Sequence, residues 1–408
     1  MTTTFMIEFV DNNAADETIP LIEMFPGVKR VKRKKSRALR HHANIYFHEE
    51  REAEIAEFVG TMPQVLKVDD GDQEVHLAGQ QQTSFTFDKG GRFARPGSTQ
   101  LLHYYSSNAS FDQMPLINKL GGTVSYNENT DRHGSNIFVS IIDQGVDSSH
   151  TQEFGSPARY IEISDYVGDG PGFHGTACAS IAAGATCGFL KEATILDGKC
   201  FGSNSLTGSI SNITDALDDL TAWAETPGNV ASNEHVICNM SLGGENSLSN
   251  GYTTAVQAME DAGIAVFAAS GNSGELIFND TSKDNFWPAA GLKYGAVGAV
   301  DLRRTRTHFS NIGGMVTLFG LGWGVPAATV GNGNYFNVSG TSFACPAVVG
   351  CYGTWVANRD GPRSQSEVWD LQSEFISYCV NGTVRSDDFD TEFSPAGTVL
   401  ARADYSLL

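Results

Sequence analysis

The chain has 408 residues, 41% of them hydrophobic and only 18% charged, which supplies apolar material for more than one core and excludes a disordered chain. A formal net charge of -20 excludes a general nucleic-acid binder, whose footprint is basic. No apolar run approaches the roughly 20 residues of a membrane span, and the start lacks the segments of a secretory leader, so, if Met1 is the true start, the expectation is a protein without membrane attachment, cytoplasmic or exported by a non-classical route; a monomer is also expected.

Residues 1–78 alternate strands and helices. The pattern predicts a strand over Phe5–Val10, a helical stretch ending at Phe25-Pro26-Gly27, a basic strand region, a strand over Asn44–Phe47, a helix over Arg51–Val59 and a last strand through Leu66, Val68 and Val75. Within that second helix Ile55, Phe58 and Val59 share a face. The order β-α-β-β-α-β is that of a small α+β ferredoxin-like unit. Its basic run, Lys29, Arg30, Lys32, Arg33, Lys34, Lys35, Arg37 and Arg40, holds eight of the 27 lysines and arginines of the chain. Two readings stay open: a solvated strand, or a basic surface facing an acidic partner inside the same chain. Residues 79–115, rich in Gln, Ser, Gly and Pro, read as a linker.

In residues 116–408, short apolar runs alternate with helical patterns from Ile137 onward: IFVSII, a small-residue helix after His174, ATIL, a helix over Asp215–Ala224, VICNMSL, a helix over Tyr252–Ala262, IAVFAAS and YGAVGAV. Continuous apolar strands imply burial on both faces, so the body is an α/β domain with a mostly parallel sheet flanked by helices. The seven cysteines show neither CxxC nor Cys/His metal spacing, and an odd count cannot all pair internally, so most read as buried thiols, with one or two disulfides left open. The acidic clusters Asp215, Asp218, Asp219 and Asp387, Asp388, Asp390 read as solvated faces rather than ligands, and no metal site is predicted.

Reactive groups in such sheets gather at the carboxyl ends of the strands. Asp143 closes the strand after IFVSII, where a carboxylate can be buried yet bonded to an imidazole. His174 opens the helix GFHGTACASIAAG, and an imidazole with a pKa of about 6.5 suits general-base work. Ser342, in SGTSFACPAVVGCYGTWV, projects from the start of an apolar helix predicted over Phe343–Val356, with Pro346 read as a first-turn proline. A helix N-terminus suits a developing oxyanion, and Asn272, in AVFAASGNSG, can donate a second hydrogen bond to it.

Together these segments make the chain similar to a subtilisin-like serine protease, carried by IIDQGVDSSH, HGTAC, NMSLGG, AASGN, FWPAA, FSNIG and SGTSFACP over about residues 135–356. The order Asp, His, Ser is the one found on this fold. Within the family the chain looks like the proteinase K-like subgroup, in which a free cysteine follows the histidine by four residues, as Cys178 does here. The resemblance implies a triad of Asp143, His174 and Ser342, an oxyanion hole using Asn272, and an extended substrate paired with Ser241-Leu242-Gly243. It further implies that Gly243, Gly244, Ala269, Ser270 and Gly271 wall the pocket for the residue before the scissile bond, with the opposite rim near Gly202–Gly208 and Pro288 preceded by a cis bond. The short stretch before ATIL leaves no room for a tight calcium loop; no cofactor is expected.

Gln144, Leu321 and Ala347 depart from the family pattern, and Gln144 is expected to weaken a hydrogen bond supporting the aspartate. Residues 1–78 resemble the inhibitory propeptide of the family, whose tail occupies the groove, with self-cleavage within 76–96. The implied function is a serine endopeptidase made as a self-inhibited precursor, with proteins or peptides and its own propeptide as partners. The alternative is a subtilase-fold binding or scaffold protein that retains its propeptide.

Overall fold

A computed structural model of the chain describes residues 2–71, 74–77, 80–84, 86–87, 93–94, 134–164, 166, 168–245, 250–275, 277, 286–301, 305–381 and 399–400. Most of the proposed linker 79–115 and the cluster Asp387, Asp388 and Asp390 lie outside the described residues. Among those described, no helix is long and apolar enough to cross a membrane.

Seven strands of the body lie parallel in the order Tyr160–Glu162, Thr194–Lys199, Ile137–Asp143, His235–Met240, Ile264–Ala269, Ala296–Val300 and Leu318–Leu321. Val399–Leu400 and Val380–Asn381 extend this sheet. Every residue of His235–Met240 and Ile264–Ala269 is buried, because helices cover both faces of the sheet. Ile137, Val139 and Ile141 point to one core with the helices Phe173–Ala183 and Thr341–Val356, while Ile142 points to the other with Ile210–Glu225 and Asn250–Asp261.

The N-terminal unit is a four-stranded antiparallel sheet in the order Val28–Arg33, His42–His48, Thr2–Phe9, Val65–Asp70. Phe5, Ile7 and Phe9 alternate onto one face and pack with Ile45, Phe47, Ile55 and Val59 beneath the helices Asn12–Glu23 and Glu52–Gly60. Phe58, on the same helix face, stacks on Phe25 with ring centroids 4.3 Å apart. The opposite face lies on the body, where Met6 and Leu39 join a body core. The fourth strand ends at Asp70. Val75 belongs instead to a separate strand, Glu74–Leu77, which leaves the unit and enters the body.

The acidic cluster on Ile210–Glu225 is not a solvated face. Asp215, Asp218 and Asp219 are all buried, and the basic run covers them. The Asp215 carboxylate is reached by Lys34 Nζ at 2.5 Å, Lys32 Nζ at 3.4 Å, Asn44 Nδ2 at 2.8 Å and the Tyr46 hydroxyl at 2.7 Å. Asp218 accepts from the backbone N–H groups of Lys35 and Ser36, and Lys35 Nζ lies 2.7 Å from Asp219. Spacing i, i+3, i+4 puts the three carboxylates on one helix face, which is why a single strand and its following turn can satisfy them.

Candidate active site

The carboxyl edge of the sheet brings Asp143, His174 and Ser342 together. Asp143 ends its strand fully buried, and its two oxygens lie 2.8 and 3.0 Å from His174 Nδ1. An ionised carboxylate only accepts, so Nδ1 carries the proton and Nε2 holds the lone pair. A further bond from the Gln144 N–H, 2.7 Å, fixes the carboxylate. The Gln144 side chain has its own work: Oε1 accepts from the His174 N–H at 3.0 Å and Nε2 donates to the Ser205 carbonyl at 2.6 Å, tying the histidine helix to the groove rim. Gln144 therefore supports this site at the histidine end.

His174 is the second residue of the helix Phe173–Ala183, and its Nε2 is buried with no hydrogen-bond partner among the described residues. Burial alone would push its pKa down, but the adjoining Asp143 carboxylate outweighs burial and holds it well above the ordinary imidazole value. One turn on, Cys178 Sγ lies 3.9 Å from His174 Nδ1 and 3.4 Å from the Ser342 carbonyl oxygen. Burial raises that thiol's pKa, so it stays protonated. All seven cysteines are buried, and none forms a disulfide among the described residues.

The serine helix begins earlier than its sequence pattern suggests, at Thr341, so Pro346 lies inside it rather than in its first turn. Proline has no N–H for the carbonyl four residues back, which here is that of Ser342. That carbonyl instead accepts from the Ser241 hydroxyl at 2.7 Å. In return the Ser342 hydroxyl donates to the Ser241 carbonyl at 3.0 Å, so in this state it is bonded there and not to His174. As the second helical residue, Ser342 has a backbone N–H with no intrahelical acceptor.

Asn272 follows Gly271, whose φ of 101° demands glycine. Its Oδ1 accepts from Thr341 N and Thr341 Oγ1 at 2.9 and 3.0 Å, which fixes the amide plane and leaves Nδ2 on the opposite side from Thr341. Asn311 pins the same loop, donating to the Ser270 carbonyl at 2.8 Å and accepting from Ser273 N and Glu275 N.

The groove already holds a strand of this chain. Glu74–Leu77 lies between two rims, pairing antiparallel with Leu242 and Gly243 on one side (Leu242↔Leu77, Gly243↔His76) and with Thr207–Ser209 on the other. The chain is held again beyond this point, where Gln80–Ser84 pairs with Tyr335–Ser339 and Gln80 stands opposite Ser339. Gly244 pairs with Trp287, and the Trp287–Pro288 bond is cis.

A family model described as "Subtilase family" matches residues 134–369, more than half of the chain and all of the site residues above. The chain belongs to the subtilase family. It is 30% identical to a "Cuticle-degrading serine protease" of Arthrobotrys oligospora, over 64% of this chain and 62% of that protein. With "Subtilisin-like protease 2" of Pseudogymnoascus destructans it shares 32% identity over 68% of this chain and 65% of that protein. Both matches thus span less than two thirds of the relative's length. Among solved structures, a cold adapted subtilisin-like serine proteinase matches with a TM-score of 0.57 and 25% identity, covering 70% of this chain and 94% of that one.

This subtilase uses residues that the sequence reading left out. Thr341 and Asn311 fix the Asn272 loop, and both stand inside quoted motifs, SGTSFACP and FSNIG, where their neighbours drew the attention.

Proposed function

We propose that this subtilase is a serine endopeptidase made as a self-inhibited precursor. The observation that supports it best is the buried Asp143–His174 pair beside the hydroxyl at the start of the serine helix. Rotation about χ1 releases the Ser342 hydroxyl from Ser241; Oγ then attacks the peptide carbonyl carbon as His174 Nε2 takes its proton. The oxyanion is met by the Ser342 N–H and Asn272 Nδ2. His174 passes the proton to the leaving amine, and water repeats the sequence on the acyl-enzyme while Asp143 stabilises the imidazolium. No cofactor takes part in these steps.

Substrates are proteins or peptides bound as an added strand between the two rims, so main-chain pairing supplies much of the affinity. Residues 1–78 act as the propeptide, and Glu74–Leu77 keeps substrates out. Self-cleavage takes place within 76–96, and the pairing of Leu77 and again of Gln80 with the body supports a site between these two residues.

The purified wild-type chain should be cut there and should be labelled by a fluorophosphonate, whereas Ser342→Ala should stay full length and unlabelled. A wild-type chain that is neither cut nor labelled would overturn the reading and favour a scaffold that keeps its propeptide.

A further inference from the structure

We propose that Phe286 restricts this enzyme to substrates with a small side chain, glycine, alanine or serine, immediately before the scissile bond. The inference deepens the peptidase reading and rests on it.

Two walls flank the position of that side chain, one carrying Gly243 and the other Gly271. The Phe286 ring reaches from one to the other. A Cβ placed on Gly243 would stand 2.2 Å from Phe286 Cε1 and 2.5 Å from Cζ, at the far edge of the ring. A Cβ placed on Gly271 would stand 2.4 Å from Asn311 Nδ2, and 2.9 Å from Phe286 Cγ and 3.1 Å from Cδ1, at the near edge of the ring. Each glycine thus lies against a different edge of one ring, which narrows the space between the two walls.

The ring is not free to swing away. Phe286 is the first residue of a two-residue strand whose backbone pairs with Glu245, and Trp287 pairs with Gly244. The side chain also packs against both body cores. Displacing it would forfeit those contacts for the sake of a larger substrate group.

The test compares two tetrapeptide p-nitroanilides, succinyl-Ala-Ala-Pro-Ala and succinyl-Ala-Ala-Pro-Phe, with the processed wild-type enzyme and with Phe286→Ala. The wild type should favour the alanine substrate in kcat/KM by about tenfold or more. Phe286→Ala should raise kcat/KM for the phenylalanine substrate by a similar factor while changing the alanine substrate by less than about threefold. A wild-type preference for phenylalanine, or an unchanged ratio in Phe286→Ala, would overturn the proposal. Should Phe286→Ala fail to fold, the wild-type ratio still decides. If the wild type cleaves neither peptide and takes no fluorophosphonate, the peptidase reading fails first; if it cleaves both without favouring alanine, only the present inference fails.

Discussion

Asp143 and His174 form a couple whose pH behaviour has a definite sign. The carboxylate lifts the imidazole's pKa, so His174 holds its proton to higher pH and the base form appears only above that pKa. Processed enzyme should therefore be weak under mildly acidic conditions and gain activity into the alkaline range. Asp143→Asn should lower kcat by about 10⁴ and move the rising limb of the pH–rate profile to lower pH, because burial then loses its main opponent. A limb that stays in place would show that another group sets it. Asn272→Ala should cost about 10²–10³ in kcat with little change in KM, since the lost bond forms only as the oxyanion develops; a KM effect alone would contradict the role. These residues were legible because each stands at a strand end or helix start inside a distinctive motif. Pro346 was misread, since the true first residue of a helix is not written in local pattern, and the contacts of the Gln144 side chain with His174 and Ser205 were not foreseen, since the length of a glutamine's reach is not written there either.

The strand Val28–Arg33 and the turn that follows it dock on the helix Ile210–Glu225 through charges that exclude water. Lys34 is buried, and removing one partner of such a pair leaves the other uncompensated. Lys34→Ala should weaken the docking of residues 1–71 by about 3–5 kcal/mol, read as faster hydrogen exchange along both elements in the Ser342→Ala chain. Unchanged exchange would place the attachment elsewhere. Acid should loosen the same unit: burial, then His41 and Lys34, hold the pKa of His42 down to about 4. Below pH 6.5 the unfolded chain takes up a proton that the folded unit refuses, so stability is lost as pH falls from about 6.5 to about 4, by up to about 3 kcal/mol. His42→Gln should remove that part of the acid sensitivity in a melting curve of the N-terminal unit; an identical acid limb would assign it to other groups. Period and polarity revealed the sheet and both helices here. Pairing of Lys32 and Lys34 with carboxylates about 180 residues away was beyond them, because charge pattern on one segment does not name its counterpart.

In the molecule as a whole, the α/β body was readable from alternating buried strands and helices, since that pattern has few other solutions. The passage of Glu74–Leu77 out of its own unit was not, because a short strand with apolar residues fits a neighbouring sheet as well as a groove. Phe286 was equally silent: an aromatic residue beside a proline says nothing about which two glycines it will touch. Under the proposed precursor reading, the threaded strand also sets how the molecule would be switched. While the backbone is continuous, the strand faces its groove at an effective concentration on the order of millimolar, and no competitor present at trace levels can displace it. Were the proposed cleavage behind Leu77 to occur, blocker and enzyme would become separate molecules, and their association would obey ordinary mass action. A concentrated preparation would then stay silent and the same preparation, diluted, would wake, making the local abundance of the protein its own timer.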